Sequence, residues 1–248
     1  MITGIDHAVL LGTALAPAVR GFEDAGFVVI PGGVHPAWGT ENALIPMADG
    51  FYLELLAPRD PAPALRHRLQ RQVDGTPRAA GEYAGYALES SALQADVQSA
   101  LTSGLEFQPP VMGARRRPDG FEVRWRSATS PRPDFPFLIE DLTPRSERVP
   151  PPGGGLNART RLASVTVAVD DVDEASQAYA ALLGQPAVLG PAGEGILATQ
   201  RGSIALIRKG APAHSPGVVT IRLVVSGWTG PSRLDAAGGA EVILTGGT

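Results

Sequence analysis

The feature that most constrains the fold is a repeated unit, in which a strand and a helix ended by glycine are followed by further strands. The first copy spans residues 5–56, and weaker copies begin near residues 85, 163 and 218. A repeat of about 80 residues is stronger evidence than any single motif. One β-α-β-β-β unit covers one face of a curved sheet, so its other face needs a second such sheet. The sequence therefore predicts an α+β protein whose tandem βαβββ modules pair into open barrel-like sheets around a cavity.

The local signals of the first copy follow this plan. Residues 15–22 carry an apolar stripe at i, i+4 and i+7, which predicts a helix, and Gly26 is suited to end it. A second strand is predicted at residues 27–30 and is broken by Pro-Gly-Gly at residues 31–33. Two further strands are predicted, at residues 42–46 and 51–56.

Composition shifts divide the chain. The Pro/Gly-rich residues 142–160 predict a linker between paired modules at residues 1–141 and a C-terminal part at residues 161–248. The C-terminal part holds a third module and a fourth that stops two strands short, which suggests completion by a second copy in a homodimer. Residues 58–83 form a connector, with a helix predicted at residues 62–73.

Bulk composition excludes several classes of protein. The 248 residues are 44% hydrophobic and 19% charged, as expected for a globular chain with a core. A net charge of −4 does not favour nucleic acid or an anionic membrane as a partner, and no apolar run is long enough to span a bilayer. With no cysteine and no visible secretory signal, we expect a cytoplasmic protein that binds a small molecule.

Two side chains in apolar strands of the first copy can bind a metal or transfer protons. His7 lies in the first strand and Glu54 lies within Tyr-Leu-Glu-Leu-Leu in the fourth. A lone histidine in a strand is often a core residue held by one hydrogen bond, and Glu54 could point to water. If Glu54 faces inward, it must be paired, metal-bound or proton-sharing. Without a metal it could act as a general base.

The loop between the second and third strands supplies further candidates. His35 could be a ligand, a catalytic group or a substrate contact, and its direction cannot be read from a segment rich in Gly and Pro. Trp38 could wall a pocket or pack on the sheet. Thr40 and Asn42 could bind a substrate oxygen, although both residue types also serve turns.

Basic residues cluster in the second copy, at Arg115-Arg116-Arg117 and Arg124-Trp125-Arg126. A solvated face explains such a cluster most simply. The alternative is that Arg117 or Arg126 grips a substrate carboxylate, with Trp125 beside it.

These residues together resemble a known group of proteins. The repeated module with a His in its first strand and a Glu in its fourth looks like the vicinal oxygen chelate superfamily. The narrower resemblance is to its glyoxalase-like domain subgroup, and it extends well over residues 4–141 but only as the module over residues 162–246. Its motifs are Gly33-x-His35-Pro36-x-x-Gly39-Thr40-x-Asn42-Ala43-Leu44, Tyr52 to Leu56, Arg117-Pro118-Asp119-Gly120, Trp125-Arg126 and Pro136 to Glu140.

The resemblance implies a site and a chemistry. Paired modules of the superfamily hold one divalent metal between their first and fourth strands, which here implies His7, Glu54 and Glu140 as ligands of Fe, Mn, Ni or Zn. Glu54 and His35 are then the candidate catalytic residues. The implied activity is that of a lyase or isomerase acting on a small oxygenated acid or ketone. An extradiol-type dioxygenase and a non-catalytic small-molecule-binding protein are the alternatives. In the third module the matching positions are Ser164 and Leu206, and neither is a metal ligand.

Overall fold

The computed structural model of the protein describes residues 1–59, 83–210, 216–234 and 240–247. The predicted helix at residues 62–73 lies outside them. An eight-stranded closed barrel and a seven-stranded sheet make up the described part, with a few helices on their outer faces. The predicted α+β class is confirmed, and the first sheet, expected to be open, closes into a barrel.

The barrel contains both N-terminal modules. Its order is β1-β4-β3-β2-β6-β7-β8-β5, and helices α1 (Leu15–Asp24) and α2 (Leu93–Thr102) follow β1 and β5. The strands are β1 (Ile2–Leu11), β2 (Ile30–His35), β3 (Thr40–Pro46), β4 (Tyr52–Pro58), β5 (Tyr83–Ser90), β6 (Val111–Arg116), β7 (Glu122–Ala128) and β8 (Phe137–Asp141).

The prediction for the second strand was wrong. It was placed at residues 27–30 with a break after it, but β2 runs across Pro31 and Gly33 to His35. A register shift between Pro31 and Gly33 accommodates the proline, and Gly33 has a φ of 131°, which favours glycine. As a result His35 lies on a strand rather than in a loop, so its side chain has a fixed direction.

Pairing inside the barrel is pseudo-symmetric. β1 pairs parallel with β4, β5 pairs parallel with β8, and the two first strands β1 and β5 pair antiparallel. Between β2 and β6 the register contains the single pair Val34 and Arg116, which closes the barrel. Successive residues of a strand point to opposite faces. Each strand therefore sends alternate side chains into the barrel and toward the helices.

The C-terminal sheet has the same strand order with one strand fewer, β10-β11-β12-β9-β13-β15-β14. β13 pairs parallel with β15 as β1 pairs with β4, so the described fourth module lacks one strand rather than two. Asp171 caps helix α4 and Gly184 ends it with a φ of 67°. The elements are β9 (Thr160–Val169), α4 (Val172–Leu183), β10 (Val188–Leu189), β11 (Gly195–Ala198), β12 (Ser203–Arg208), β13 (Gly217–Ser226), β14 (Arg233–Leu234) and β15 (Glu241–Gly247).

The Pro/Gly-rich segment 142–160 packs against the barrel. It contains a short helix α3 (Arg145–Arg148) and a 3-10 turn, and Arg148 and Asn157 are both buried. Asn157 Nδ2 donates to the carbonyls of Val28 and Pro46, both at 2.9 Å. This segment thus supplies side chains to the barrel, and Arg148 is the one that matters for the cavity. Among the described helices, none is long and apolar enough to cross a membrane.

Candidate active site

A cavity of about 120 Å³ lies inside the barrel. Inward-facing residues of both N-terminal modules line it, together with Arg148 of helix α3. Its aromatic lining comes from Trp38, Tyr52, Trp125, Phe135 and Phe137. Its charged and polar lining includes His7, His35, Asn42, Glu54 and Arg115.

His7 and Glu54 meet in this cavity. The parallel register pairs Val9 with Glu54, and both His7 and Glu54 point inward from neighbouring strands. His7 Nε2 lies 3.4 Å from Glu54 Oε2, and both residues are buried. The His7 ring stacks on Tyr52 with the ring centroids 4.5 Å apart, which fixes the plane of the imidazole.

Asp6 orients His7 from behind. Asp6 Oδ1 lies 2.6 Å from His7 Nδ1, and Arg148 donates to both Asp6 oxygens at 2.9 Å. Burial alone would raise the pKa of Asp6, but Arg148, His7 and Arg145 hold that pKa well below its ordinary value. An ionised carboxylate only accepts hydrogen bonds, so the Nδ1 of His7 carries a proton and Nε2 faces Glu54.

Asn42 fixes the other oxygen of Glu54. Its Nδ2 donates to Glu54 Oε1 at 2.6 Å. Glu54 is therefore held at both ends, by Asn42 at Oε1 and by His7 at Oε2. When His7 is neutral and Glu54 is ionised, Nε2 and Oε2 are both acceptors, so the pair is built to hold one exchangeable proton or a shared cation.

His35 lies in the same cavity as a neutral base. Burial lowers its pKa to about 4, an effect that Glu54 opposes and Arg115 reinforces. Its Nδ1 lies 3.0 Å from Thr40 Oγ1, and the rings of Trp38 and Trp125 pack against it at 5.3 and 5.9 Å. Thr40, expected to bind substrate, contacts His35 and is not among the residues that line the cavity.

Arg115 belongs to the basic cluster seen in the sequence, but it was not among the residues expected to bind substrate. It is 3% exposed, its Nη2 donates to the Arg148 carbonyl at 2.8 Å, and its Nε has no hydrogen-bond partner. Strand alternation could have found it, because β6 directs Gly113 and Arg115 inward and Arg116 outward. Asp6 and Arg148 were also missed, since their contact joins residues far apart in the sequence.

The arginines that were expected to bind substrate lie elsewhere. Arg117 pairs with Asp119 and with Glu147 near the surface, and Arg126 pairs with Glu140. Neither arginine lines the cavity, whereas Trp125, Trp38 and Asn42 do so as expected.

Glu140 does not join His7 and Glu54. In β8 the inward residues are Phe137 and Ile139, so Glu140 points to the opposite face, where it lies across from Arg126. The register explains what replaces it. Ala87 faces Phe137 as His7 faces Tyr52, and Ile139 therefore takes the place of Glu54 in the second module.

The donor set does not fit a metal ion held by several protein ligands. His7 and Glu54 converge, but the inward residues of β8 are Phe137 and Ile139, which cannot bind a metal. Within the described ranges, no group of three or more His, Asp or Glu residues could hold a metal. The expected set of His7, Glu54 and Glu140 is therefore not assembled.

The chain matches one family model and several solved structures. A family model described as "Glyoxalase-like domain" matches residues 5–183. No curated protein matches the chain. A hypothetical protein from Staphylococcus aureus has a similar structure, with a TM-score of 0.76 and 14% identity over 99% of this chain and 100% of that one.

Two further solved structures are more distant. A xylose isomerase-like TIM barrel/4-hydroxyphenylpyruvate dioxygenase fusion protein gives a TM-score of 0.55 at 16% identity, over 91% of this chain and 37% of that one. Streptomyces coelicolor methylmalonyl-CoA epimerase gives 0.40 at 19% identity, over 58% of this chain and 100% of that one. At 14% and 16% identity, the Staphylococcus aureus protein and the fusion protein are similar to this chain in fold alone. The epimerase, with a TM-score of 0.40, is too distant to support any conclusion.

Proposed function

Because the chain belongs to the glyoxalase-like domain family, we propose that it is a lyase or isomerase that moves a proton on a carbon next to the carbonyl or carboxyl group of a small oxygenated acid or ketone. The observation that carries the proposal is the Glu54–His7 pair inside the barrel, with each side chain held by a dedicated partner.

Glu54 is the base in this proposal. Asn42 holds its Oε1, and its Oε2 faces the cavity beside His7 as the atom that takes the proton. The substrate C–H bond breaks, the proton moves to Glu54 Oε2, and the electron pair moves to the neighbouring carbonyl oxygen. The positive charge of Arg115, which lines the same cavity, stabilises that oxygen. His7 then accepts the proton from Glu54 at Nε2 and returns it to the intermediate.

Two supporting side chains reduce the movement that the catalytic groups need during the reaction. Asn42 and Asp6 hold Glu54 and His7 in one arrangement before the substrate arrives, so little movement is needed at the transition state. His35 remains neutral near pH 7 because of its lowered pKa, so it can accept a proton or a hydrogen bond from a substrate hydroxyl.

A divalent metal, Fe, Mn, Ni or Zn, is the second candidate for the charge that stabilises the oxyanion. One observation favours it. His7 faces the Asp6 carboxylate through Nδ1, which is how metal-ligating histidines are oriented, and Nε2 is turned toward Glu54. In that case water and substrate would supply the other ligands, and either a metal-dependent lyase or an extradiol-type dioxygenase would follow.

The test is hydrogen exchange. Small 2-oxo acids, 2-hydroxy acids and hydroxyketones are incubated with the full-length protein in D₂O, and loss of the α-proton signal is followed by ¹H NMR. Removing a general base costs roughly 10²- to 10⁴-fold, so Glu54→Gln should lower the exchange rate by that factor. Glu41→Gln is the matched control, because Glu41 is the neighbour of Asn42 on the same strand and does not line the cavity.

Each experimental outcome favours one of the candidate functions. Exchange that survives in Glu54→Gln contradicts the proposed base. Binding of a compound without exchange favours the non-catalytic binding protein. Elemental analysis of protein purified without chelators decides the metal: near one equivalent, lost in both His7→Ala and Glu54→Ala, supports the metal-dependent candidate.

A further inference from the structure

Arg115 is a buried cation with an incomplete set of partners. It lies in β6 and lines the cavity at 3% exposure. Within the described ranges its guanidinium makes one hydrogen bond, from Nη2 to the carbonyl of Arg148, and no ion pair. A buried charge without a carboxylate partner is costly, so such a group commonly binds an anionic ligand.

Arg148 shows what a fully paired arginine looks like in this barrel. It is 2% exposed, and it binds Asp6, Asp141 and the hydroxyl of Tyr52. Each nitrogen of its guanidinium therefore has a carboxylate or hydroxyl partner. Arg115 lies beside it with no such partner and leaves its Nε–H free. The two arginines thus differ in role. Arg148 stabilises the fold through these contacts, whereas Arg115 is available to a ligand.

We infer that the cavity binds a small monocarboxylate, a 2-oxo or 2-hydroxy acid, with the carboxylate held by Arg115. Guanidinium groups match carboxylates in geometry and in charge. This inference rests on the proposed function for the reaction, because a carboxylate on Arg115 leaves the acidic C–H bond of the ligand, at C3 of a 2-oxo acid or C2 of a 2-hydroxy acid, in the same cavity into which Glu54 points. It adds the chemical class of the substrate and the residue that selects it.

Size and lining limit the ligand further. An engineered protein cavity of about 150 Å³ holds benzene, so the 120 Å³ here suits a ligand of about six heavy atoms. Trp125, Phe137 and Ile139 make part of the lining apolar, and Ser127, Thr129, Ser130 and Arg132 also line the cavity. The volume therefore limits the rest of the ligand to a short group, such as a methyl or ethyl group.

Glu54 leaves room for this anion. It influences the pKa of Arg115, yet no nitrogen of Arg115 lies within ion-pair distance of it in the described structure. The two groups consequently share a cavity without neutralising each other by contact. A carboxylate can occupy the Arg115 side while the acidic C–H bond of the ligand faces Glu54.

Isothermal titration calorimetry at pH 7 tests the inference with pyruvate as the carboxylate and hydroxyacetone as a neutral compound of similar size. The full-length protein should bind pyruvate at least roughly tenfold more tightly than hydroxyacetone, as expected for one charged hydrogen-bonded contact. Arg115→Gln should weaken pyruvate binding by roughly 10- to 100-fold and leave hydroxyacetone binding within about twofold.

The matched control is Arg116→Gln, because Arg116 is the next residue of β6, is exposed and does not line the cavity. It should bind pyruvate as the unmodified protein does. Arg115→Lys keeps the charge but loses the planar fork, so its pyruvate affinity should fall between those of the other two proteins. The preference of the unmodified protein for pyruvate over hydroxyacetone needs no variant, so it remains decisive even if Arg115→Gln fails to fold.

The outcomes separate this inference from the proposed reaction. A carboxylate preference that is lost with Arg115, but without α-proton exchange in D₂O, supports the inference and overturns the catalytic proposal. Equal binding of pyruvate and hydroxyacetone, no binding of pyruvate, or pyruvate binding unchanged in Arg115→Gln overturns the inference. Exchange of a hydroxyketone alone would then leave the catalytic proposal standing.

Discussion

The barrel and the C-terminal sheet are built on one strand order but differ on their inner faces. In the barrel, the register sets His7 and Glu54 on neighbouring parallel strands. In the C-terminal sheet, Ser164 faces Ser203 as His7 faces Tyr52, so Ala205 takes the place of Glu54. The sequence had assigned that place to Leu206, which is fully buried on the opposite face.

Both sheets carry buried apolar side chains on one face. The C-terminal sheet therefore keeps its fold although it has no His–Glu pair on the other face. Val165, Val167, Ile204 and Leu206 form the buried face of the C-terminal sheet, whereas Ser164 and Ala205 line a groove on the other face. Alternation places core residues and site residues on the same strand but on different faces. The core therefore maintains the sheet, and the chemistry depends on a few inward positions.

The largest expected effect concerns the charge network of the barrel. Asp6 is fully buried and binds His7, Arg148 and Arg145, whereas the corresponding residue of β9 is Ala163. Asp6→Asn leaves Arg148 and Arg145 short of a buried counter-ion, which should cost about 3–5 kcal/mol of unfolding free energy. Urea denaturation followed by circular dichroism measures it.

Asp170→Asn is the matched substitution in the C-terminal half. Asp170 is 66% exposed and pairs with Lys209 at the surface. An exposed pair contributes roughly 0–1 kcal/mol, so this variant should unfold almost like the unmodified protein. Equal losses for the two variants would show that the buried network is not what distinguishes the barrel energetically.

A second effect should appear only at acidic pH. The folded-state pKa of His35 is about 4, below the ordinary histidine value of 6.5, because the cavity buries it. The unfolded chain therefore takes up the proton first, and acidification from pH 6.5 to 4 favours unfolding by up to about 3 kcal/mol.

His35→Gln removes this titration. The difference in unfolding free energy between the two proteins should be constant above about pH 7.5 and should shift in favour of the variant as the pH falls toward 4. Urea titrations at several pH values measure the shift. A difference that does not change with pH would mean that His35 is not buried in a neutral state.

The sequence predicts much of the barrel because apolar periodicity and glycine positions are local signals. The barrel cavity brings together residues that the sequence placed in one candidate site, among them His7, Glu54, Asn42, Trp38 and Trp125. The assignment of Glu140 failed because a one-residue difference in strand register turns a side chain to the other face. For a short strand bounded by loops, that register is not readable from sequence.

Arg115 illustrates the second limit. Three consecutive arginines look alike in sequence, and only the ends of β6 decide that Arg115 points inward while Arg117 lies beyond the strand. The Asp6–Arg148 contact depends on how the segment after β8 folds back. Such long-range pairs carry no local pattern, so the orienting partners of His7 could not be foreseen.

A smaller effect tests the junction between the two halves. Tyr179 of α4 donates to the carbonyl of Asp134 and accepts a hydrogen bond from Tyr86 of β5 at 2.8 Å. Tyr179→Phe leaves both of these buried partners unpaired and should cost about 1–3 kcal/mol. Tyr86→Phe removes only the second bond and should cost less, about 1 kcal/mol. Thermal unfolding ranks them, and the reverse order would contradict this account of the junction.

The smallest expected effect comes from rebuilding the pair on the other sheet. Ser164→His with Ala205→Glu places an imidazole and a carboxylate on the C-terminal groove at the register of His7 and Glu54. Because both positions are only partly buried, unfolding free energy should change by about 0.5 kcal/mol or less for each substitution.

The same double substitution tests what the closed barrel contributes. The grafted pair has Ala163 instead of an aspartate behind the histidine, and the groove lacks the aromatic lining of the barrel cavity. Introduced into the Glu54→Gln background, it should therefore restore no α-proton exchange. Restored exchange would show that the pair alone suffices, and that neither closure of the barrel nor Asp6 is needed for the reaction.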